Sequence, residues 1–263
     1  MKKVVLFDMD GTLTAARSKM DYPILAALRK LQDLDFEIGI VTGSSMKYIK
    51  EQCTVMFDDF NFDHKKVHYF PCNGTKYVML NSNTEDVVYD MLMEKEIGKE
   101  KYREIIYRLV ENQLRIKRKL YGKDIPLTGN FIDCRGSMIN WCPIGRNANH
   151  DDRSRWKVLD EKYKIRESLL DSYFRSPVYE NIAVKLGGST SFDIYPEGWD
   201  KSLVLRSFNL GDDIWFVGDK CRQHGNDKEI YEAIKERDPN KSFETKSSKQ
   251  TISIINTIIG SNG

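Results

Sequence analysis

Two aspartates two positions apart, directly after an apolar run, constrain this chain more than any other feature of its sequence. Residues 4–7 read Val-Val-Leu-Phe, and Asp8 and Asp10 follow within Phe-Asp-Met-Asp-Gly-Thr-Leu-Thr at 7–14. The run predicts a buried strand, and open α/β sheets carry their chemistry at the carboxyl ends of their strands. One carboxylate there can attack a phosphorus atom while the other handles the leaving oxygen's proton. Asp-Gly is also a common turn signal, so the two aspartates could instead form only a solvated turn. The rest of the sequence distinguishes these two interpretations.

The spacing of apolar residues predicts further strands and helices around this first strand. A helix over 22–34 and a strand over 36–41 follow, which predicts a parallel strand pair with a right-handed crossover. Near the other end, a strand over 213–217 is followed by Gly-Asp, much as the first strand is followed by Asp8. The intervening chain mixes strands and helices in another pattern. We therefore predict an α/β core at 1–81 and 199–263, interrupted by an α+β insert at 82–198.

Composition narrows the class of protein. The 41 basic and 39 acidic residues leave a formal charge of +2, which does not suggest a nucleic-acid partner. No apolar stretch approaches the roughly 18 residues of a membrane span, and the start of the chain lacks a signal peptide's apolar region. Five scattered cysteines without metal-ligand spacing indicate free thiols in a reducing compartment. We expect a cytoplasmic protein with no membrane partner.

Acidic residues at the predicted strand ends supply the hard oxygen ligands that Mg²⁺ prefers. Asp8, the backbone carbonyl of Asp10 and a third acid would suffice. Asp219 is the first candidate for the third acid, and Asp227 is a direct or indirect partner. A lone Gly-Asp is more often a turn, but its place after an apolar strand favours a magnesium site.

The string at 7–14 resembles the first motif of the haloacid dehalogenase superfamily of phosphotransferases. In that resemblance, Thr42 or Ser44 would donate a hydroxyl to the phosphoryl oxygens, and Lys201 would pair with Asp8. Taken alone, a hydroxyl after a strand is usually a helix cap and a lysine before a helix is usually solvated. Their order along the chain favours the superfamily.

The insert contains two longer motifs. Residues 135–146 read Arg-Gly-Ser-Met-Ile-Asn-Trp-Cys-Pro-Ile-Gly-Arg, and residues 191–201 read Ser-Phe-Asp-Ile-Tyr-Pro-Glu-Gly-Trp-Asp-Lys. Both closely resemble motifs of the eukaryotic-type phosphomannomutases, and the resemblance covers nearly the whole chain. It implies a haloacid dehalogenase-like core with an inserted α+β substrate-binding cap.

The same resemblance assigns roles to individual residues. Asp8 is implied as the phosphorylated nucleophile and Asp10 as the general acid and base. The substrate-binding positions that it implies are Arg17 in the core and Arg135, Asn140, Arg146, Arg153, Ser191 and Asp193 in the cap. Guanidinium groups suit phosphate because they bind it with two hydrogen bonds and stay charged. Each arginine taken singly could instead form a surface ion pair.

The implied activity is the interconversion of mannose 6-phosphate and mannose 1-phosphate, with glucose phosphates as secondary substrates. The resemblance also implies Mg²⁺ and a hexose 1,6-bisphosphate activator as cofactors, and a second copy of the chain bound through the cap as partner. Two alternatives stay open: a sugar-phosphate phosphatase of the same fold, and a catalytically silent sugar-phosphate-binding protein. A mutase differs from a phosphatase in keeping water away from the phosphorylated aspartate.

Some positions depart from the family pattern. Cys-Asn-Gly-Thr at 72–75 replaces the more usual Glu-Asn-Gly-Leu, and Gly136-Ser137 stands where Asn-Gly is typical. Ala233 occupies a position where relatives often carry an aspartate in a second cation-binding loop. The sequence therefore favours the catalytic magnesium site and argues against the second one.

Overall fold

The computed structural model describes residues 1–15, 18–81, 84–119, 124–222 and 225–261. The chain divides into two compact units. The core unit comprises Met1–Asp90 and Trp199–Gly263, and the cap unit comprises Met91–Gly198. One continuous segment thus interrupts the core unit.

Strands and helices alternate along most of the described chain. In chain order the strands are β1 (Lys3–Phe7), β2 (Phe36–Val41), β3 (Val67–Phe70), β4 (Lys76–Asn81), β5 (Thr84–Asp90), β6 (Ile132–Cys134), β7 (Ile139–Trp141), β8 (Ile182–Gly187), β9 (Ser191–Pro196), β10 (Asp213–Gly218) and β11 (Ser242–Glu244). The α-helices are α1 (Tyr22–Asp33), α2 (Met46–Gln52), α3 (Thr54–Phe57), α4 (Met93–Ile97), α5 (Lys99–Lys119), α6 (His150–Tyr163), α7 (Ile165–Tyr173), α8 (Lys228–Arg237) and α9 (Ser248–Gly260).

The core unit is built on one mixed sheet with the strand order β11-β10-β1-β2-β3-β4-β5. The pairs from β11 to β3 are parallel, while β4 and β5 pair antiparallel. In register, Phe7 at the end of β1 lies beside Val217 of β10 and Ile40 of β2. The carboxyl ends of these three central strands therefore meet at one edge of the sheet.

Both faces of the central strand are buried, which explains its unbroken apolar run. Val5 and Phe7 belong to a core cluster that includes residues of α1 and α9. Val4 and Leu6 belong to a second cluster that includes residues of α8. The sheet is thus covered by helices on both sides.

The first boundary between core and insert lies later than the sequence analysis predicts. Strand β5 pairs with β4 in register from Asn81↔Thr84 to Lys76↔Asp90, so it extends the core sheet. The core unit consequently runs to Asp90, and the predicted boundary after residue 81 is corrected. Six of the seven residues of β5 are exposed, and the strand lacks the apolar alternation that would reveal it in the sequence.

The cap unit contains an antiparallel sheet with the order β6-β7-β9-β8 and four helices among its described residues, α4 to α7. Helix α6 begins with a capping box, in which Asn149 and Asp152 each accept the other's backbone N–H. In the long helix α5, Ile105 and Leu109 are buried, whereas Val110 is 45% exposed. Only part of the apolar side chains of α5 therefore contributes to the core of the cap unit.

Two further observations concern the helices of the described chain. The segment Lys201–Ser207 is a 3₁₀ helix that Asp200 caps by accepting the backbone N–H of Ser202. None of the helices in the described part of the chain is long and apolar enough to cross a membrane.

Candidate active site

Three carboxylates and one ammonium group meet at the carboxyl edge of the core sheet. Asp8 follows β1, Asp219 follows β10, Lys201 opens its 3₁₀ helix and Asp227 precedes α8. The Nζ of Lys201 donates to Oδ1 of Asp8 and, at 2.6 Å, to Oδ1 of Asp227. The side chains of Lys201 and Asp227 are fully buried. A buried ammonium group has to be paired, and these two aspartates pair it.

The same carboxylates offer oxygen atoms suited to a hard cation. One oxygen each from Asp8, Asp219 and Asp227 lies within 4.8 Å of the others. Within the described chain, Oδ2 of Asp8 and Oδ1 of Asp219 are buried and have no hydrogen-bond partner. Both oxygens of Asp227 are engaged, Oδ1 by Lys201 and Oδ2 by the backbone N–H of Lys220 at 3.0 Å. The donor set therefore fits Mg²⁺ on Asp8 and Asp219, with Asp227 acting through Lys201.

Burial changes the proton affinities of these groups. Burial and the nearby Asp227 raise the pKa of Asp8 to about 7, and Lys201 opposes them. Burial also raises the pKa of Asp219 above its ordinary value. Although burial lowers the pKa of Lys201, Asp227 and Asp8 outweigh it and raise that pKa. The lysine keeps its charge, and the unbalanced negative charge favours a bound cation.

The loop after β1 is shaped by a glycine. Gly11 has a φ of +94°, and a Cβ atom there would lie 2.3 Å from Oδ2 of Asp219. The loop closes through backbone hydrogen bonds from Gly11 to Thr14 and from Thr14 to Met9. Glycine is thus required for Asp219 to approach the loop that carries Asp8 and Asp10.

A glutamine that the sequence analysis did not single out contacts Asp10. The Nε2 of Gln52, on α2, donates to Oδ1 of Asp10 at 3.4 Å and to the hydroxyl of Tyr48 at 2.7 Å. Its Oε1 accepts from Oγ1 of Thr14 at 3.4 Å. Gln52 is buried, so this amide orients the carboxylate of Asp10. No local signal reveals the contact, because 42 residues separate the two side chains.

The two candidate hydroxyls lie at the same edge, after β2. Oγ1 of the buried Thr42 accepts the backbone N–H of Ser44 at 3.1 Å. Two further backbone hydrogen bonds tie this loop to the next one, from Cys72 to Ser44 and from Asn73 to Thr42. The structure therefore places both residues after β2, beside the strand that leads to Asp8, and both hydroxyls remain candidates.

In the cap unit, Asn140 connects the predicted sugar-binding residues. Its Nδ2 donates to Oγ of Ser191 at 2.9 Å and to Oδ1 of Asp193 at 2.6 Å. Its Oδ1 accepts from Nη1 of Arg146 at 2.9 Å. Asn140 and Asp193 are register partners on β7 and β9, so the sheet itself brings them together. Gly187 leaves room for them, since a Cβ there would lie 2.7 Å from Oδ2 of Asp193.

Arg135 and Arg146 share one carboxylate. The Nε atoms of the two arginines lie 3.0 and 3.3 Å from Oδ2 of Asp133, on β6. Burial raises the pKa of Asp193, while Asn140 and then the two arginines oppose the rise. The side chains of Arg135 and Arg146 are 24% and 37% exposed, which leaves them accessible to an anion.

Arg153 is held differently. It donates to the carbonyls of Ala148 and Arg146, each at 2.9 Å, and to Oγ1 of Thr190 at 3.0 Å. Three of its five N–H groups thus brace the cap. Its predicted role in substrate binding stays a prediction, as do the other assigned roles. Arg17, the core arginine of the prediction, lies outside the described residues.

The comparisons with known proteins agree with one another. A sequence model of the family described as eukaryotic phosphomannomutase matches residues 24–261. A phosphomannomutase from Solanum lycopersicum is 32% identical over 232 residues, which is 88% of this chain and 85% of that relative. One from Babesia bovis is 36% identical over 235 residues, or 88% of this chain and 89% of that relative.

A solved structure shows the fold. The haloacid dehalogenase-like hydrolase from Bacteroides thetaiotaomicron superposes with a TM-score of 0.57 at 14% identity, covering 98% of this chain and 100% of that one. The predicted α/β fold of the haloacid dehalogenase type is thereby confirmed. With the family model matching most of its length, the chain belongs to the eukaryotic phosphomannomutases, enzymes of the haloacid dehalogenase superfamily.

Proposed function

We propose that this protein interconverts mannose 6-phosphate and mannose 1-phosphate through a phosphorylated Asp8. The observation that carries the proposal is the buried arrangement of Asp8, Lys201 and Asp227 beside Asp219. A carboxylate can approach a phosphoryl group only where cations offset the repulsion between them. Lys201 supplies one positive charge, and Mg²⁺ on Asp8 and Asp219 would neutralise more of the negative charge.

The chemistry divides between the two aspartates of the first motif. An oxygen of Asp8 attacks the phosphorus of the donor, and the bond from phosphorus to the sugar oxygen breaks. Asp10 gives that oxygen a proton. In the second half-reaction Asp10 takes the proton from an acceptor hydroxyl, whose oxygen attacks phosphorus and releases Asp8. Gln52 keeps the Asp10 carboxylate oriented for both steps.

In this proposal the cap unit recognises the sugar phosphate. Arg135 and Arg146 bind the phosphate that does not react, and Asn140 orders the groups that contact the sugar hydroxyls, Ser191 and Asp193. A hexose 1,6-bisphosphate primes Asp8 and is also the intermediate that turns around between the half-reactions. Glucose phosphates, which differ at one hydroxyl, are expected as weaker substrates.

Incubation with mannose 1-phosphate, Mg²⁺ and a trace of glucose 1,6-bisphosphate tests the proposal against a phosphatase. A mutase forms mannose 6-phosphate and depends on the bisphosphate. Release of inorganic phosphate without mannose 6-phosphate would instead make the protein a phosphatase. Absence of both products, together with no acid-labile phosphate on the protein, would leave a sugar-phosphate-binding protein.

The magnesium site has its own test. Mg²⁺ is expected to raise the melting temperature of the wild type, because a ligand that binds only the folded state stabilises it by about 2.7 kcal/mol at 100 times its dissociation constant. Asp219→Asn, which removes one ligand charge, should show a much smaller increase. Equal increases in both proteins would place the ion elsewhere.

A homodimer through the cap is also part of this proposal. Helix α5 exposes Tyr107, Val110 and Leu114, at 68%, 45% and 73%, on positions i, i+3 and i+7 of one face. An exposed apolar stripe of this kind is typical of a protein–protein interface. Leu114→Glu should convert a dimer to a monomer in sedimentation or light scattering, and a monomeric wild type would contradict the proposal.

A further inference from the structure

A largely buried ion pair in the cap unit lies outside the set of residues assigned so far. Arg166, on α7, donates from Nε to Oδ2 of Asp160, on α6, at 2.6 Å. The backbone N–H of Arg166 donates to the other oxygen of Asp160 at 2.7 Å. The side chains are only 12% and 11% exposed. Asp160 therefore fixes both the position and the orientation of the guanidinium group.

The guanidinium reaches the turn that precedes β9. Nη1 of Arg166 donates to the carbonyl of Gly188 at 2.9 Å and to the carbonyl of Ser191 at 3.4 Å. Ser191 also donates its own hydroxyl to the carbonyl of Gly187 at 2.8 Å. The turn from β8 to β9 is thus held at both ends, and Ser191, the first residue of β9, directly follows it.

The contacts require the shape of arginine as well as its charge. The planar guanidinium presents N–H groups in a fixed fork, which joins a carboxylate on one side to two carbonyls on the other. A lysine ammonium at this place is a single point and cannot reach all of these oxygens. Neutralising or reshaping the side chain would leave the turn free to shift relative to Asn140.

We propose that Arg166, oriented by Asp160, positions Ser191 and thereby sets the affinity of the cap for the sugar. This inference rests on the proposed function, because it takes Ser191 as a sugar-contacting group. Arg166 acts through Ser191, and it is therefore a positioning residue. It does not contribute to phosphorylation of Asp8, because the charged groups that the described residues bring to Asp8 are Lys201, Asp219 and Asp227 of the core unit.

The expected signature is a separation of KM from kcat. Arg166→Lys and Arg166→Gln should each raise KM for mannose 1-phosphate about tenfold, the effect of losing one well-placed hydrogen bond. kcat should change less than about twofold, because contacts to a non-reacting hydroxyl act equally in the ground and transition states. Phosphorylation of Asp8 by acetyl phosphate, a donor without a sugar, should proceed at the wild-type rate.

Arg155 provides the matched control. It lies on α6, as Asp160 does, and its side chain is 55% exposed where it pairs with Asp124 and Asp152. Arg155→Gln removes an arginine–aspartate pair without touching the turn, so its KM should equal that of the wild type. Asp160→Asn, which keeps the side chain's shape, should give a smaller rise in KM than Arg166→Gln.

Three results would overturn the inference. Wild-type KM in Arg166→Lys would mean that charge alone matters. Parallel losses of kcat, acetyl phosphate reactivity and melting temperature would mean that the pair only stabilises the cap. If the wild type lacks mutase activity, the proposed function fails. The inference about Arg166 can then be tested separately, by calorimetric binding of mannose 1-phosphate to the wild type and to Arg166→Lys. Equal binding would refute it.

Discussion

The core set and the cap set of candidate residues handle charge in opposite ways. In the core, four aspartates, Asp8, Asp10, Asp219 and Asp227, stand with one buried lysine, Lys201. In the cap, Arg135, Arg146 and Arg153 stand with the acids Asp133 and Asp193, and neutral amide, hydroxyl and carbonyl groups make many of the contacts. The first set carries excess negative charge and the second a slight excess of positive charge.

The difference indicates what each set depends on. The core set is incomplete without further positive charge, so it should respond strongly to changes of charge and to divalent cations. The cap set is held by hydrogen bonds of fixed geometry, so it should respond to changes of shape and to the loss of single donors. Chemistry and recognition should therefore be separable by mutation.

Asp8→Asn should produce the largest effect on turnover. It keeps the size of the side chain but removes the nucleophile, and loss of a covalent nucleophile costs on the order of 10⁴-fold or more. Binding of mannose 1-phosphate, measured by calorimetry, should persist because the cap residues are unchanged. Residual turnover within tenfold of the wild type would show that Asp8 is not the nucleophile.

Lys201→Met tests the charge balance of the core through stability. The folded-state pKa of Asp8, about 7, lies above the ordinary carboxyl value. The native state then binds its proton more tightly than the unfolded state, so stability falls as pH rises from the ordinary value through 7. The positive charge of Lys201 reduces this loss of stability at high pH. Removing Lys201 should therefore make the loss larger.

The stability lost in Lys201→Met should accordingly be smaller at pH 5, where Asp8 takes up a proton. At pH 8 it should approach about 3–5 kcal/mol, the cost of leaving buried charges unpaired. Denaturant unfolding of both proteins in metal-free buffer at the two pH values measures it. A loss independent of pH would mean that packing of the lysine stem dominates.

Arg146→Gln makes the opposite test in the cap. It removes a charge-assisted donor to Asn140 and Asp133 together with a proposed phosphate ligand. KM for mannose 1-phosphate should rise about 10- to 100-fold, the usual value of such bonds. Phosphorylation of Asp8 by acetyl phosphate should be unaffected, and a slowed reaction would break the separation between the two sets.

The positions that sequence reasoning found share one property, a strong local pattern. Strands β1, β2 and β10 are apolar runs, and Asp8 and Asp219 follow two of these runs at one sheet edge. Strand β5 was missed because its residues are mostly exposed and alternate weakly. Helix α7 was also missed, because the chain enters it through a left-handed backbone conformation at Lys164, which the sequence pattern does not indicate.

Side-chain contacts between distant positions lie beyond such patterns. Three such contacts depend on how helices pack in the folded chain. They are the hydrogen bonds of Arg153 to carbonyl groups, of Arg166 to Asp160 and of Gln52 to Asp10. A motif can show that Arg153 belongs to a set, but not that three of its donors are already used. The charges of the core were predictable, and the hydrogen bonds that orient them were not.

Two buried glutamines of the core unit form a matched pair for measuring how much the orientation of Asp10 contributes to phosphoryl transfer, the smallest effect predicted here. Gln32 donates to the carbonyl of Asp63 at 2.8 Å and accepts the N–H of the same residue at 3.1 Å, whereas Gln52 donates to Asp10. Each glutamine donates a hydrogen bond through its amide nitrogen and accepts one through its amide oxygen. Replacement of either by leucine should therefore lower the free energy of unfolding by a similar amount, about 1–3 kcal/mol. Only Gln52→Leu disturbs a proposed catalytic group.

Gln52→Leu should slow phosphoryl transfer from glucose 1,6-bisphosphate to Asp8 about tenfold, because Asp10 loses the donor that orients it. Transfer from acetyl phosphate should keep its rate, since acetate is a good leaving group and needs no proton from Asp10. Gln32→Leu should alter neither rate. If Gln52→Leu slowed both donors alike, the glutamine would shape the loop around Asp8 as a whole, and orientation in the core would rest on packing as much as on charge.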